Sequence, residues 1–356
     1  MSDAKKIKVA IIGFGLSGST FHAPFLIHSS QFSLVAVVSS KKAHLAALLP
    51  TVPVFADIEE LLNSQMSVDL VIVTTPNHTH YEISKIALQN DKHVVVEKPF
   101  VLKPAQAQEL LALAKQKNLI LCSYQNRRWD GPIVALKKLI MAGIFGDIYQ
   151  CDLHFDRYRP QVKKTKWKEL NSVDGAGSLY DLGPHLIDHA LAFFGWPEYL
   201  QADITKQRPD ADVDDYFHLN LSYGKTRVIL HSSSVILGDV PSIQVHGDKA
   251  SFICYGLDEQ EENLSHFWQQ PAGNLSAIVD QPAKNKAILR TYENSVITDA
   301  TVEIATGNYQ NYYEAIYKAI QGIAPPPISA EDMLNNVRLI DLAYLSNKSG
   351  QRIKLD

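Results

Sequence analysis

The sequence has few cysteines, no long apolar run and no strong excess of charge, and each absence narrows the possible functions. The three cysteines of the 356-residue chain, Cys122, Cys151 and Cys254, have no CxxC spacing for a metal, and their odd number disfavours a disulfide framework. We therefore expect buried thiols in a reducing compartment. No apolar stretch approaches the length of a membrane span, and no secretory hydrophobic segment follows the polar residues 1–6. These features predict a cytoplasmic protein.

The overall composition is that of an ordinary globular protein. The apolar fraction is 46% and the charged fraction is 20%, and the length is sufficient for two domains. A net charge of −4 gives no general attraction to nucleic acid or to an anionic membrane. We therefore expect neither nucleic acid nor a membrane as a partner.

The first third of the chain alternates short apolar runs with helical patterns, which is typical of a doubly wound α/β fold. Several runs are apolar throughout, as strands are when helices cover both faces of a parallel sheet. The predicted strands are Lys8–Ile12, Leu34–Val38, Val54–Phe55, Leu70–Thr74, His93–Val96 and Ile120–Ser123. The predicted helices are about Ser17–His28, Lys42–Leu49, Ile58–Gln65, His78–Gln89 and Pro104–Lys117.

From about Cys122 the pattern changes to consecutive strand-like runs with few helices between them, which predicts a largely antiparallel open sheet. The predicted strands are Ile148–Phe155, Leu200–Lys206, Tyr216–Tyr223, Arg227–Ser233, Ile243–His246 and Ser251–Cys254. The predicted helices are Gly131–Met141, a segment from Leu182 onward, Asn308–Gly322 and Ala330–Ser346. Most of residues 256–295 are polar and weakly periodic, and we assign them no structure.

A glycine-rich segment joins the first predicted strand to the first helix, which is the arrangement that holds a dinucleotide pyrophosphate. The segment is Gly13-Phe14-Gly15-Leu16-Ser17-Gly18. Its first glycine permits a tight turn, its second lets the backbone approach phosphate, and its third allows close packing of the helix on the strand. The helix N-terminus adds N–H groups and a partial positive charge. The alternative is a plain strand–turn–helix in which the glycines serve only the turn.

The residues after the second strand favour NADP over NAD. An acidic side chain normally accepts the ribose hydroxyls there, but this sequence has Ser39, Ser40, Lys41 and Lys42. A carboxylate would repel a 2′-phosphate, whereas serine and lysine can bind one. We therefore expect NADP as the preferred cofactor, with NAD possible. The alternative is that both lysines are a solvated helix start.

Two further segments follow strands at the carboxyl edge of the predicted sheet, where ligands bind in open α/β folds. The first contains Thr75, Pro76, Asn77 and His80, although Asn77 also suits a helix cap and His80 a helix surface. The second is Glu97-Lys98-Pro99. Its lysine ammonium could polarise a carbonyl or hold a hydroxyl at the reacting carbon, with Glu97 orienting it. The tripeptide alone fits a structural strand end equally well.

A dense cluster from Gly175 to Asp188 contains Asp181 and, one helical turn later, His185. An adjacent carboxylate orients an imidazole and tunes its pKa, as a general acid–base requires. Asp181 also suits a helix N-cap, and Asp181, His185 and His189 have a spacing that a divalent metal would accept. Because no further ligand is evident nearby, we predict no metal here.

Taken together, these segments resemble the Gfo/Idh/MocA oxidoreductase family, which includes glucose–fructose oxidoreductase and inositol dehydrogenases. The similarity covers the whole chain through the glycine loop, Glu97-Lys98-Pro99 and Gly175–Asp188. Within the family, the NADP-dependent scyllo-inositol dehydrogenases are the most similar group. The segments that carry this finer likeness are Gly15–Ser19, Asn126–Asp130, Tyr158–Pro160, Leu179–Gly183, Asp215–Leu219 and Tyr255–Asp258.

The resemblance implies an N-terminal NAD(P)-binding Rossmann domain, residues 1–124, and a C-terminal α/β domain, residues 125–356. The second has an open sheet that such proteins often use for oligomerisation, so we expect a homodimer or homotetramer. We also allow that the last helix packs back on the Rossmann domain.

The resemblance also implies roles for individual residues. Lys98 is the catalytic-site lysine, Asp181 the substrate-binding aspartate and His185 the general acid–base. We predict further cofactor contacts at Gln125, Arg127 and Trp167, and a further substrate contact at Tyr158.

The predicted reaction is hydride transfer between a secondary alcohol of a cyclic polyol or sugar and the nicotinamide. One alternative is a glycosidase of the same fold that uses bound NAD transiently. A second is a dinucleotide-sensing regulator without catalysis, which the presence of Lys98, Asp181 and His185 disfavours. A metal-dependent isomerase is the third.

Overall fold

The computed structural model describes residues 6–162, 167–169, 175–269, 275 and 283–356. The chain divides into two units, each continuous in space but not in sequence. The N-terminal unit comprises Met1–Tyr124, Gln260–Gln281 and Tyr309–Leu334, and the C-terminal unit comprises Gln125–Glu259, Pro282–Asn308 and Asn335–Asp356. Within the described residues, no helix is both long and apolar enough to cross a membrane.

The N-terminal unit contains a six-stranded parallel sheet with the strand order β3-β2-β1-β4-β5-β6, which is the Rossmann order. Its strands are β1 (Ile7–Ile12), β2 (Phe32–Val38), β3 (Val54–Phe55), β4 (Leu70–Val73), β5 (His93–Val96) and β6 (Leu121–Ser123). The helices between them are α1 (Ala23–Ile27), α2 (Lys42–Leu48), α3 (Ile58–Asn63), α4 (His80–Gln89) and α5 (Pro104–Gln116). The predicted doubly wound parallel sheet is confirmed.

Burial explains why the central strands are continuous apolar runs in the amino-acid sequence. All four residues of β4 are fully buried, and so are Val94, Val95 and Val96 of β5. Because successive side chains of a strand point to opposite faces, both faces of the sheet must be covered.

The first helix differs in detail from the prediction. We expected one helix over about Ser17–His28, and the structure has a π-helical turn, Gly18–His22, that leads directly into α1. Pro24, near the start of α1, has no N–H to donate to the preceding turn. Single π-helical turns are frequent at functional sites.

The C-terminal unit contains a nine-stranded sheet with the order β14-β13-β12-β11-β7-β10-β9-β8-β15. Its strands are β7 (Ile148–His154), β8 (Tyr199–Thr205), β9 (Tyr216–Tyr223), β10 (Thr226–Ser233), β11 (Pro241–Gly247), β12 (Ala250–Tyr255), β13 (Lys286–Glu293), β14 (Val296–Val302) and β15 (Ile353–Lys354). Among the described strands, β7 and β10 form the one parallel pair in this sheet, and the other pairs are antiparallel. The predicted largely antiparallel open sheet is confirmed.

One face of this sheet is packed and the other is half-exposed. Phe217, Leu219 and Leu230 are fully buried and share a core with Leu186 and Ile187. The alternate residues of the same strands are partly exposed. The remaining helices of the chain are α6 (Gly131–Met141), α7 (Ser178–Asp181), α8 (Gly183–Phe194), α9 (Gln260–Ser265), α10 (Gln310–Ile320) and α11 (Ala330–Ser349).

Three strands lie outside the sequence-based assignment. β13 and β14 form a hairpin at the end of the sheet, and most of their residues are exposed, so they lack the apolar alternation that marks a strand. Asn294 and Ser295 between them both have positive φ, the backbone of a tight hairpin turn. β15 has two residues and pairs with β8 from the end of the chain.

Candidate functional site

The glycine-rich loop leaves β1 through a tight turn, packs closely at its third glycine and is open at its second. Gly13 has a φ of +92°, and the Thr74 hydroxyl donates to its carbonyl oxygen at 2.8 Å. A Cβ on Gly18 would lie 2.6 Å from that same oxygen, so the helix packs this closely on the loop only because residue 18 is glycine. At Gly15, by contrast, a Cβ would meet no atom within 4 Å. The open side of the loop is therefore at the second glycine, where phosphate would approach.

The rest of the loop is held by a neighbouring segment of the same unit. The Trp268 indole N–H donates to the carbonyl oxygen of Ser19 at 2.9 Å, and the Phe14 ring centre lies 6.4 Å from that of Trp268. Leu16 remains 68% exposed. Trp268 thus fixes both ends of the loop and leaves its middle accessible.

A buried carboxylate connects the glycine loop with the segment that carries Lys98. Glu97 follows β5 directly, and its Oε1 accepts hydrogen bonds from the Ser17 hydroxyl and, at 3.0 Å, from His22 Nε2. Its Oε2 accepts from the backbone N–H of Lys98 at 3.1 Å. One side chain therefore positions both the helix after the loop and the backbone that carries Lys98.

Two aromatic residues complete this network around His22. His22 Nδ1 lies 2.6 Å from the Tyr313 hydroxyl, within hydrogen-bond distance. The Tyr124 ring lies 4.3 Å from the imidazole, centre to centre. Burial keeps the pKa of Tyr313 well above its usual value, so the phenol retains the proton that it donates.

The network keeps Glu97 ionised. Burial alone would raise the pKa of Glu97. The hydrogen bond and electrostatic attraction of His22, the hydrogen bond from Ser17 and the nearby Lys98 charge outweigh burial and lower the pKa to about 2. The carboxylate is therefore a fixed negative charge beside Lys98, where it can hold the ammonium in place.

The loop after β4 is joined to the segment after β5 through His80. This fully buried imidazole lies between two carbonyl oxygens, 2.9 Å from that of Thr75 and 2.9 Å from that of Pro99. Burial lowers the pKa of His80, although both carbonyls oppose the shift. The Lys98–Pro99 peptide bond, whose isomer the sequence left open, is cis. Pro76 and the buried Asn77 lie in the same loop after β4.

Lys98 itself is partly exposed, although Glu97 and Pro99 on either side of it are buried. The residues on either side of Lys98 are thus buried, and the lysine is accessible at the carboxyl end of β5, where ligands bind in open α/β folds.

The segment after β2 presents cations and hydroxyls. The Ser39 hydroxyl accepts from the backbone N–H of Lys41 at 3.2 Å, and Ser40, Lys41 and Lys42 are exposed. Lys42 Nζ lies 3.7 Å from a carboxylate oxygen of Glu60. Lys41 occupies the N-cap position of α2, whose first turn contains no acidic residue.

In the C-terminal unit, Asp181 and His185 lie on consecutive helices. Asp181 ends α7, and its Oδ1 accepts from Lys168 Nζ at 2.6 Å. His185 lies in the first turn of α8, after Pro184, and is 4% exposed. The Asn336 side chain donates to the Pro184 carbonyl oxygen at 2.7 Å and so holds the start of α8. Residue 182, not Asp181, occupies the N-cap position of α8.

The remaining predicted contacts also lie in this unit. Gln125 is buried, and among the described atoms its Oε1 has no hydrogen-bond partner. Arg127 donates to Asp130 at 3.2 Å, and Tyr158 is 53% exposed. Trp167 begins the short 3₁₀ segment Trp167–Glu169.

Several residues of these networks were not found from the sequence. In the C-terminal unit they include Lys168 and the pair of Arg128 with Asp188, a double hydrogen bond of 2.7 and 2.8 Å. In the N-terminal unit they are His22 and Tyr313, which are 291 positions apart. His22 follows Gly18 by four residues, one helical turn, and that spacing was an available signal.

Comparison with known proteins now identifies the family. The model of the "Oxidoreductase family, NAD-binding Rossmann fold" (GFO_IDH_MocA) matches residues 7–125, and that of its "C-terminal alpha/beta domain" matches residues 137–355. The chain belongs to the Gfo/Idh/MocA oxidoreductase family. The predictions of this family and of a nicotinamide-dependent dehydrogenase are thereby confirmed.

Relatives of this family member match nearly its whole length. The uncharacterized oxidoreductase YdgJ of Escherichia coli is 38% identical, over 98% of each chain. The scyllo-inositol 2-dehydrogenase (NADP(+)) IolW of Bacillus subtilis is 37% identical, over 98% of this chain and 96% of its own. The solved structure of yvaA from Bacillus subtilis has a TM-score of 0.91 at 36% identity, over 99% of this chain and 100% of its own.

Replacing Glu97 tests whether the buried carboxylate stabilises the fold as an anion. Because the pKa of Glu97 is lowered from 4.5 to about 2, its stabilisation is complete above about pH 4.5 and is lost as the pH falls toward 2. We expect Glu97→Gln to lower the free energy of unfolding by about 2 kcal/mol at pH 7. That difference should shrink between pH 5 and pH 3 in urea-unfolding experiments.

The matched control is Glu59→Gln, because Glu59 is an exposed glutamate in the first turn of α3. Its effect should be small at every pH. A difference between wild type and Glu97→Gln that stays constant from pH 7 to pH 3 would contradict the ionic role.

Proposed function

We propose that the protein catalyses reversible, NADP-dependent oxidation of a secondary alcohol on a cyclic polyol or sugar, with a scyllo-inositol-like substrate. The observation that carries this proposal is the network at Glu97, which joins the nucleotide loop to the segment bearing Lys98. The similarity to a scyllo-inositol 2-dehydrogenase along nearly the whole chain supports the substrate class. In this proposal residues 1–124 bind the dinucleotide, and residues 125–356 bind the substrate and mediate self-association.

The residues present fit a dinucleotide. The space beside Gly15 accommodates a phosphate, and backbone N–H groups at the start of the following helix are suited to donate to it. Gln125 has a buried amide oxygen without a partner in the described part of the chain, and an amide donor such as a carboxamide would satisfy it. When bound, the dinucleotide supplies the hydride acceptor.

Two side chains are proposed as catalytic. One removes a proton and the other stabilises negative charge. His185 removes the proton of the substrate hydroxyl, and its burial shields that step from bulk water. The Lys98 ammonium stabilises the negative charge that develops on the substrate oxygen. The electrostatic attraction between the ionised Glu97 and Lys98 helps to orient the ammonium.

Asp181 acts in this proposal through its charge and its acceptor oxygens. Lys168 neutralises one oxygen at 2.6 Å, and the side chain is 29% exposed, so the carboxylate can still accept from a polyol hydroxyl.

The reaction is tested by nicotinamide absorbance with purified protein, NADP or NAD, and a panel of scyllo-inositol, myo-inositol and common aldoses. We expect NADP reduction that depends on a cyclic polyol. Glycoside cleavage without net NADPH would favour the glycosidase alternative. The regulator alternative predicts no turnover with any substrate but intact dinucleotide binding.

Replacing the proposed catalytic lysine separates chemistry from cofactor binding. Lys98→Met removes the ammonium and keeps a side chain of similar length, so turnover should fall roughly a hundredfold to a thousandfold. The Kd for NADP, measured by fluorescence titration, should change little. Lys103→Met is the control, because Lys103 is exposed and precedes α5. Near-normal turnover in Lys98→Met would remove Lys98 from the mechanism.

Replacing Lys41 tests the basis of the NADP preference. A lysine that binds the 2′-phosphate through a charge-assisted hydrogen bond contributes to the binding free energy of NADP. We therefore expect Lys41→Ala to raise the KM for NADP about tenfold. The KM for NAD, which lacks this phosphate, should stay the same. Lys42→Ala removes the same charge from the neighbouring residue, which already faces Glu60. Equal effects of both variants on both cofactors would indicate a general charge effect instead.

A further inference from the structure

A group of two histidines and one aspartate lies on the sheet of the C-terminal unit, outside the residues assigned above. In the part of the chain that the structure describes, His154, Asp156 and His231 are the one set of three such residues whose potential ligand atoms all lie within 4.8 Å of one another. We call them the His–Asp–His cluster. The sequence analysis did not find it, because β7 and β10 are far apart in the chain.

The parallel pairing of β7 with β10 brings the three side chains of the His–Asp–His cluster close together. His154 and His231 are direct partners across these strands. The pairing continues past the end of β7, where the Phe155 N–H donates to the His231 carbonyl oxygen at 2.9 Å. Because side chains alternate along extended backbone, Asp156 returns to the face that carries His154. The cluster is therefore positioned by the backbone of a rigid sheet.

This face is opposite to the one that packs against α8. The intervening residues Leu153, Phe155 and Leu230 are buried in a core with Leu186 and Ile187 of α8. The His–Asp–His cluster is partly exposed on the other side. The sheet thus separates the cluster from His185 on α8, so the cluster has a role other than proton transfer to the substrate.

The distances match those between ligands of one metal ion. His154 Nδ1 lies 3.0 Å from Asp156 Oδ2, and His231 Nε2 lies 3.4 Å from Asp156 Oδ1. With metal–ligand bonds of about 2.0–2.1 Å, neighbouring ligands in a tetrahedral zinc site are about 3.3 Å apart. The Ser233 N–H donates to Asp156 Oδ1 at 2.9 Å and orients the carboxylate, as a second layer of hydrogen bonds does in metal sites.

Hydrogen bonding alone accounts for only part of the cluster. His154 makes an ordinary hydrogen bond to Asp156, but the 3.4 Å separation at His231 is long for one.

We propose that His154, Asp156 and His231 bind one divalent transition-metal ion of the zinc class. Two imidazole nitrogens and one carboxylate suit zinc, cobalt or nickel and disfavour magnesium and calcium, which prefer oxygen ligands. Three protein ligands leave a coordination position for water. The ion connects β7 to β10 at the parallel pair of the sheet, and parallel pairing is slightly the weaker kind. Binding to the folded sheet alone therefore stabilises the protein.

The test uses the full-length protein without an affinity tag, stripped with EDTA and dialysed. Calorimetric titration with ZnCl₂ should give one ion per chain, and zinc should raise the thermal unfolding temperature. His154→Gln, Asp156→Asn and His231→Gln should each weaken zinc binding at least about tenfold. His246→Gln is the matched control, because His246 on β11 is also partly exposed in this sheet and bonds to Ser251. That variant should bind zinc as wild type does.

Two outcomes would overturn the proposal. One is the absence of stoichiometric zinc binding by the stripped wild type, and the other is wild-type affinity in all three ligand variants. Visible absorption of Co²⁺ added to the wild type provides a measurement that needs no variant. A spectrum identical to that of the hydrated ion would also contradict the site. Because none of these measurements uses turnover, the result is independent of the proposed dehydrogenase activity.

Discussion

The N-terminal unit depends on one buried anion. Glu97 lies at the end of a fully buried strand, where an ionised carboxylate without partners would strongly destabilise the fold. Ser17, His22 and the backbone N–H of Lys98 each donate to it. Against the effect of burial, the hydrogen bonds from His22 and Ser17 and the electrostatic attraction of His22 and Lys98 lower its pKa to about 2. The requirement to satisfy this charge is what holds the glycine loop, the following helix and the lysine segment in fixed positions.

The need to give buried polar groups hydrogen-bond partners also explains which side chains remain accessible. His80 fixes the backbone at Thr75 and Pro99, and Thr74 fixes the backbone at Gly13. These bonds use the buried polar groups to hold three loops at one edge of the sheet. Lys98 and the space beside Gly15 are left open. A rigid, internally satisfied framework of this kind is what a site needs in order to orient a cofactor and a substrate.

In the C-terminal unit, the alternation of side chains along the strands separates two groups of residues. One face of the nine-stranded sheet packs against α8, which carries His185 in its first turn. The other face is polar and partly exposed, and it carries the His–Asp–His cluster where β7 and β10 pair in parallel. Because a strand side chain reaches only one face, the two sets of residues are kept apart.

The sequence by itself determined the fold class, the order of most strands and helices, and the family, because apolar periodicity, glycine spacing and short motifs are local properties. It also located Lys98, Asp181 and His185 at the ends of predicted elements. Only the tertiary structure revealed Tyr313 behind His22, Lys168 at Asp181 and the pairing of His154 with His231. It also revealed the β13–β14 hairpin, whose exposed residues carry no periodic signal. These contacts join distant parts of the chain. They form only when folding brings the residues together and removes the water that would otherwise bind a buried charge.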